Sequence, residues 1–187
     1  MDDMNTMDND VQKLIRTIED LIEENDEASL PSILSLYDEA IMLDKAAKTT
    51  EATDHFVRFV DETYVPFLRR QDPPDHGGIA GILAKVARLE TDLERYDVAE
   101  AHLERSLQAG TKVTDPDQDD TLVRARTIHN LGYLLSVTFR HGRAMTALED
   151  AKASYDMLEG EGLDLTEDLA NGHLDMARLH DREKASD

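Results

Sequence analysis

The chain of 187 residues contains no cysteine and no tryptophan, and five tyrosines and four phenylalanines are its only aromatic residues. Without cysteine there is no disulfide, no thiolate nucleophile and no sulfur-ligated metal. Basic residues are scarce: 20 lysines and arginines stand against 41 aspartates and glutamates, a formal charge of -21. So large a negative charge opposes phosphate backbones and anionic membrane surfaces, so neither nucleic acid nor membrane is an expected partner. No stretch approaches the roughly 18 apolar residues of a membrane helix. The opening Met1-Asp2-Asp3-Met4-Asn5 is acidic and polar where a secretory signal needs positive charge and then an apolar run, so a cytoplasmic protein is expected.

Hydrophobic residues still make up 40% of the chain, too many for a disordered polymer. The acids are spread along its length, with 25 aspartates to 16 glutamates and 13 arginines to 7 lysines. That balance resembles proteins of salt-accumulating archaea and bacteria, whose acidic surfaces stay hydrated in molar salt.

Helical periodicity dominates. Val11, Leu14, Ile15, Ile18, Leu21 and Ile22 recur at three- and four-residue spacing, and the polar residues 1–8 before them are expected to be disordered. Ser29 and Pro31 open a second helix, and a third ends near Pro66, a residue that tends to stop helices. After the Pro73-Pro74 and Gly77-Gly78 linker, helices are expected at about 79–95 and 97–109. A long one follows that Asp119 or Asp120 caps, then another to Gly160, and a solitary one at about 165–183. About eight helices and no strand predict an all-α protein, a single domain over 9–183 with hairpins at 30–67, 79–109 and 121–159.

Within these hairpins one phrase recurs. Ile128-x2-Leu131-Gly132-x2-Leu135, a turn at Arg140–Arg143 and Ala144-x3-Leu148 is echoed by Leu83-x2-Val86-Ala87, a turn near Arg95-Tyr96 and Ala99-x3-Leu103. Leu36-x2-Glu39-Ala40-x2-Leu43 with Ala52-x3-Phe56 is a fainter third copy. A small residue lets two helices approach, and a larger apolar residue one turn later fills the gap. The pattern resembles the tetratricopeptide repeat, W-x2-L-G-x2-Y followed by A-x3-F. It departs from it in lacking tryptophan and the closing proline, in carrying Glu90 and Leu135 where tyrosine is usual, and in spacing: Ala52, Ala99 and Ala144 lie 47 and 45 residues apart, against 34 in the family. The resemblance implies antiparallel hairpins stacked as a right-handed superhelix, capped by the last helix, with a non-enzymatic scaffold function. The alternative architecture is an irregular helical bundle.

The resemblance also implies a groove lined by the first helix of each hairpin. Carried onto this sequence it assigns partner contacts to Arg126, His129 and Tyr133, with Ser136 beside them, to Ala84 and Arg88, and to Tyr37 and Ile41, with Leu34. The expected partner is a protein or peptide, acidic if it faces the two arginines. The rival readings are a small-ligand sensor or enzyme with His129, Arg126 and Tyr133 in a polar pocket, and a self-associating structural protein.

Other motifs carry no chemistry. Asp115-x-Asp117-x-Asp119 opens like a calcium loop, but Asp120 stands where glycine is required and Arg126 where the closing glutamate is required. His173 and His180 share a helical face two turns apart, too far to hold one metal unaided. Gly77-Gly78-x2-Gly81 lacks the strand and the Lys-Ser/Thr of a phosphate loop. No cofactor, metal or catalytic residue is expected.

Overall fold

The computed structural model describes residues 2–24, 27–47 and 49–184, and every described element is helical. The α-helices are α1 (Asp2–Glu23), α2 (Leu30–Ala47), α3 (Glu51–Phe59), α4 (Val65–Arg70), α5 (His76–Asp92), α6 (Tyr96–Gly110), α7 (Gln118–Val137), α8 (His141–Gly160) and α9 (Thr166–Lys184), with a 3-10 turn at Glu27–Ser29. A π-helical segment, Val60–Tyr64, joins α3 to α4 without a break in the sequence, so counted as one they bring the helices among the described residues to eight. Pro66 explains the π segment. Its ring and missing N–H conflict with the carbonyl four residues back, and the wider π turn just before it removes the conflict, so the helix continues to Arg70 instead of stopping.

By its internal contacts the chain divides into two compact units, Met1–Tyr64 and Val65–Asp187. Helix α1 begins at Asp2, although residues 1–8 read as loose. Met4 and Met7 continue the three- and four-residue spacing of Val11, Leu14 and Ile18, a signal the polar neighbours obscured. Met1 lies outside the described residues.

In the first unit α1, α2 and α3 pack together around Val11, Ile15, Ile18, Ile33, Tyr37, Phe56 and Phe59, all buried. The Tyr37 ring lies 5.0 Å from that of Phe56 and 5.2 Å from that of Phe59. A fully buried acid, Asp44, is explained by the start of α3. Thr50 at its N-cap turns its hydroxyl to Asp54 Oδ2 at 3.1 Å and caps no backbone N–H, and Asp44 from α2 instead accepts the Thr53 N–H at 3.0 Å and the Thr49 hydroxyl at 2.7 Å.

The second unit is built on two hairpins, α5–α6 and α7–α8, with α9 packed on α8 and touching α7. Their turns are copies of each other. Glu94 (φ 59°) and Phe139 (φ 61°) take the left-handed conformation, and Arg95 N–H to Glu90 C=O (2.9 Å) matches Arg140 N–H to Leu135 C=O (2.8 Å). These closures stop one helix and reverse the chain within three residues. At the tightest approach a Cβ on Gly132 would lie 2.8 Å from Leu148 Cγ, so α7 and α8 touch there as the repeated phrase predicts. The corresponding Ala87, Ala99 and Leu103 form one buried cluster with Leu134. Helix α7 is capped by Asp117, whose side chain accepts the Asp120 N–H at 2.9 Å. Asp120, expected as a cap itself, sits three residues on and returns its carboxylate to the Asp117 N–H, so the acidic run serves a capping box.

Candidate functional site

In the second unit the odd-numbered helices α5, α7 and α9, with Tyr155 from α8, enclose a cleft of about 250 Å³. Arg88 enters from α5. Arg126, His129, Asn130 and Tyr133 come from α7, where 126, 129, 130 and 133 share one face at helical spacing. Asp168, Asn171, Leu174, Asp175 and Arg178 come from α9. Four of the seven residues expected to bind a partner are therefore in one place. The other three are not. Tyr37 (0% exposed) and Ile41 (5%) fill the core of the first unit, and Ala84 (8%) is buried in α5. None of the three lines the cleft. Ser136, named beside them, is buried as well.

Helix α9 supplies what the sequence reading missed. Asp168, Asn171, Asp175 and Arg178 recur at three- and four-residue spacing, a polar stripe of the same period as the apolar stripes that located the helices. The seven-residue interval that drew attention to His173 and His180, both exposed, also separates Asp168 from Asp175.

Charge in the cleft is ordered. Arg126 donates to both Asp168 oxygens, Nε to Oδ1 at 2.9 Å and Nη2 to Oδ2 at 2.8 Å. This forked bond to a carboxylate raises the arginine further above its ordinary pKa, against partial desolvation. Asp175 accepts from His129 Nε2 at 3.1 Å and from Arg178 Nη1 at 3.4 Å. Arg88 lies over the Tyr133 ring, 5.6 Å from its centroid, donates to the Asn130 carbonyl at 3.4 Å and pairs with Asp92 at 3.4 Å. Three guanidinium groups thus face two carboxylates on the lining of the cleft.

Tyr155, His129 and Asp175 form a hydrogen-bonded chain. A carboxylate can only accept, so His129 Nε2 donates to Asp175, and its Nδ1 lies 3.3 Å from the Tyr155 hydroxyl, which donates to it when the ring is neutral. Burial pushes the Tyr155 phenol well above its ordinary pKa, the Asp168 charge adds to the rise, and Arg126 opposes it. A phenol held neutral in this way is neither a base nor a nucleophile at physiological pH.

The first unit contains a second such chain. Tyr37 meets His55 Nδ1 at 2.7 Å, and His55 Nε2 meets Glu19 at 3.3 Å. Tyr37 too is raised, first by burial and then by Glu19, with Arg58 opposing. This chain borders a shallower cleft of about 460 Å³, whose lining carries Glu19, Glu23 and Glu62 against the single guanidinium of Arg58.

Compared with protein-family models, curated proteins and solved structures, the chain matches none.

Proposed function

We propose that this chain is a non-enzymatic, tetratricopeptide-like binding module of a salt-accumulating organism's cytoplasm, and that the cleft of the second unit holds a carboxylate-bearing segment of a protein partner. The observation that carries the proposal is the gathering of Arg88, Arg126 and Arg178 around Tyr133 and Asn130 on a chain of charge -21. The lining sets three guanidinium groups against two carboxylates, with Asp92 beside Arg88, on a chain whose overall charge repels anions. Arg126 is committed to Asp168 through two short bonds. Arg88 and Arg178 are held only by contacts near 3.4 Å and are more than half exposed, so they are the donors a carboxylate would engage. Tyr133 adds a rigid aromatic surface beside them.

The competing reading is a small-ligand pocket, favoured by the way α9 closes one side of the cleft and by the Tyr155–His129–Asp175 chain at its wall. The size and the mostly polar lining of the cleft suit a docked acidic side chain better than a larger apolar ligand.

The test uses extract of the native host in molar KCl. Protein retained by immobilised parent chain but lost from an R88E/R178E double variant is the candidate partner, which is then purified and titrated. The double reversal is expected to weaken binding at least tenfold with helicity unchanged. Equal affinity for the two proteins would overturn the proposal.

A further inference from the structure

Phe139 has no structural employment within its own molecule. It is 79% exposed, the most exposed large apolar side chain among the described residues. Its backbone is left-handed at φ 61°, a conformation that strains any bulky side chain. The turn does not require an aromatic residue, because the matching turn of the α5–α6 hairpin carries Glu94 at φ 59°. Its one ring contact is edge-on to His141, centroids 6.0 Å apart at 83°.

The same unit contains a hollow of matching character. Gly77, Ala80, Leu107, Gly110, Val113 and Val123 line a largely apolar recess of about 200 Å³ between α5, α6 and the start of α7, while a cavity of about 150 Å³ suffices to take benzene. The flanking charges are complementary. Beside Phe139 the chain reads Arg140, His141, Gly142, Arg143, where Glu100, paired to Arg140 at 2.7 Å, and Asp97 offset part of the positive charge. Beside the hollow, Asp115, Asp117, Asp119 and Asp120 outnumber Lys112 and Arg124.

Phe139 cannot reach its own hollow. The recess is lined by the first turns of α7, Phe139 follows its last, and 20 helical residues separate the two ends by about 30 Å. We infer that Phe139 of one molecule inserts into the α5–α6–α7 hollow of a second copy. A contact between unlike surfaces at opposite ends of one helix is head-to-tail, so it leaves a knob and a hollow unfilled and extends into open chains. Two bodies of charge -21 repel each other, so association is promoted by salt. This contact involves neither Arg88 nor Arg178 and stands or falls separately from the cleft.

The test is complementation. Phe139→Glu copies the residue found at the matching turn, and Gly110→Leu adds bulk to the hollow's lining at a position where an added Cβ meets nothing within 4 Å. Sedimentation velocity in molar KCl over a hundredfold concentration range is expected to show the parent growing past the dimer, with F139E and G110L each monomeric and fully helical. Mixed in equal amounts, the two variants retain one good knob and one good hollow and form dimers that grow no further. A parent that stays monomeric, a single variant that associates like the parent, or a mixture that stays monomeric would overturn the inference.

Discussion

Both units bury a tyrosine against a histidine whose far nitrogen faces a carboxylate, yet they build this chain in opposite order. In the first unit the sequence runs Glu19, Tyr37, His55; in the second it runs His129, Tyr155, Asp175. In each, the tyrosine sits on the middle of three helices. Copying of a segment does not reverse its order, so the likeness reflects a shared packing solution: a buried phenol needs one partner, and a histidine tied to a carboxylate, exposed at Glu19 and largely buried at Asp175, supplies it. What differs is the rim. Three glutamates and one arginine line the first cleft, three arginines and two aspartates the second. The buried chain therefore belongs to the architecture, and the sign of the surrounding charge distinguishes the two surfaces.

If both chains are architectural, removing either tyrosine should damage its unit alike. Tyr37→Ala and Tyr155→Ala each delete a fully buried ring and are expected to destabilise by about 3–5 kcal/mol in chemical denaturation. A loss below about 1 kcal/mol for one of them would break the equivalence.

Alkaline pH tests the same equivalence. Both phenols are raised on folding, so the unfolded chain loses these protons first as pH climbs past about 10. The stabilisation is complete below that pH and is lost as pH rises toward the folded values, by up to about 1.4 kcal/mol per pH unit for each tyrosine. The phenolate absorbance that distinguishes the parent from Y37F and Y155F should emerge only as helical signal disappears. Its appearance in folded protein would contradict the burial argument.

The milder Tyr37→Phe and Tyr155→Phe remove one hydrogen bond each and are expected to cost about 0.5–1.5 kcal/mol. Y155F should leave partner affinity within twofold, since the hydroxyl points to His129. A large loss of binding would instead favour the small-ligand reading.

The helices were legible because their apolar residues repeat at helical spacing and their ends carry Gly, Pro and capping acids. Gly132 and Ala144 marked the tight α7–α8 approach because only small side chains fit there, and Ala144 is fully buried. The division at Tyr64/Val65 was not legible, since helix adjoins helix there without a break in the sequence and no linker composition marks it. Four of the eleven residues lining the cleft were legible. Arg88, Arg126, His129 and Tyr133 emerged from the repeat frame, whereas Asp168 and Asp175 did not, because a polar stripe on a charged terminal helix looks like a solvated face until its tertiary partner is known. Tyr37 and Ile41 failed for the converse reason. The frame marks a helix face without recording what packs on it, and in the first unit α3 brings Phe56 and Phe59 against Tyr37.

The smallest expected stability effect belongs to Asp168→Asn. The Arg126–Asp168 pair is half exposed on the arginine side, so its loss should cost no more than about 1 kcal/mol. Releasing Arg126 should meanwhile strengthen binding of a carboxylate-bearing partner, whereas Glu19→Gln in the first unit should leave that binding unchanged. Weaker binding by D168N would mean that Asp168 itself contacts the partner.

The most direct test of whether charge at the second cleft, and not at the first, makes the binding surface is the affinity of the purified partner for single reversals in the two clefts. Arg88→Glu and Arg178→Glu are expected to weaken binding about tenfold each, while Arg58→Glu in the first unit changes it by less than twofold. Equal losses from Arg58→Glu, or undiminished affinity after reversal of Arg88 and Arg178, would contradict the account.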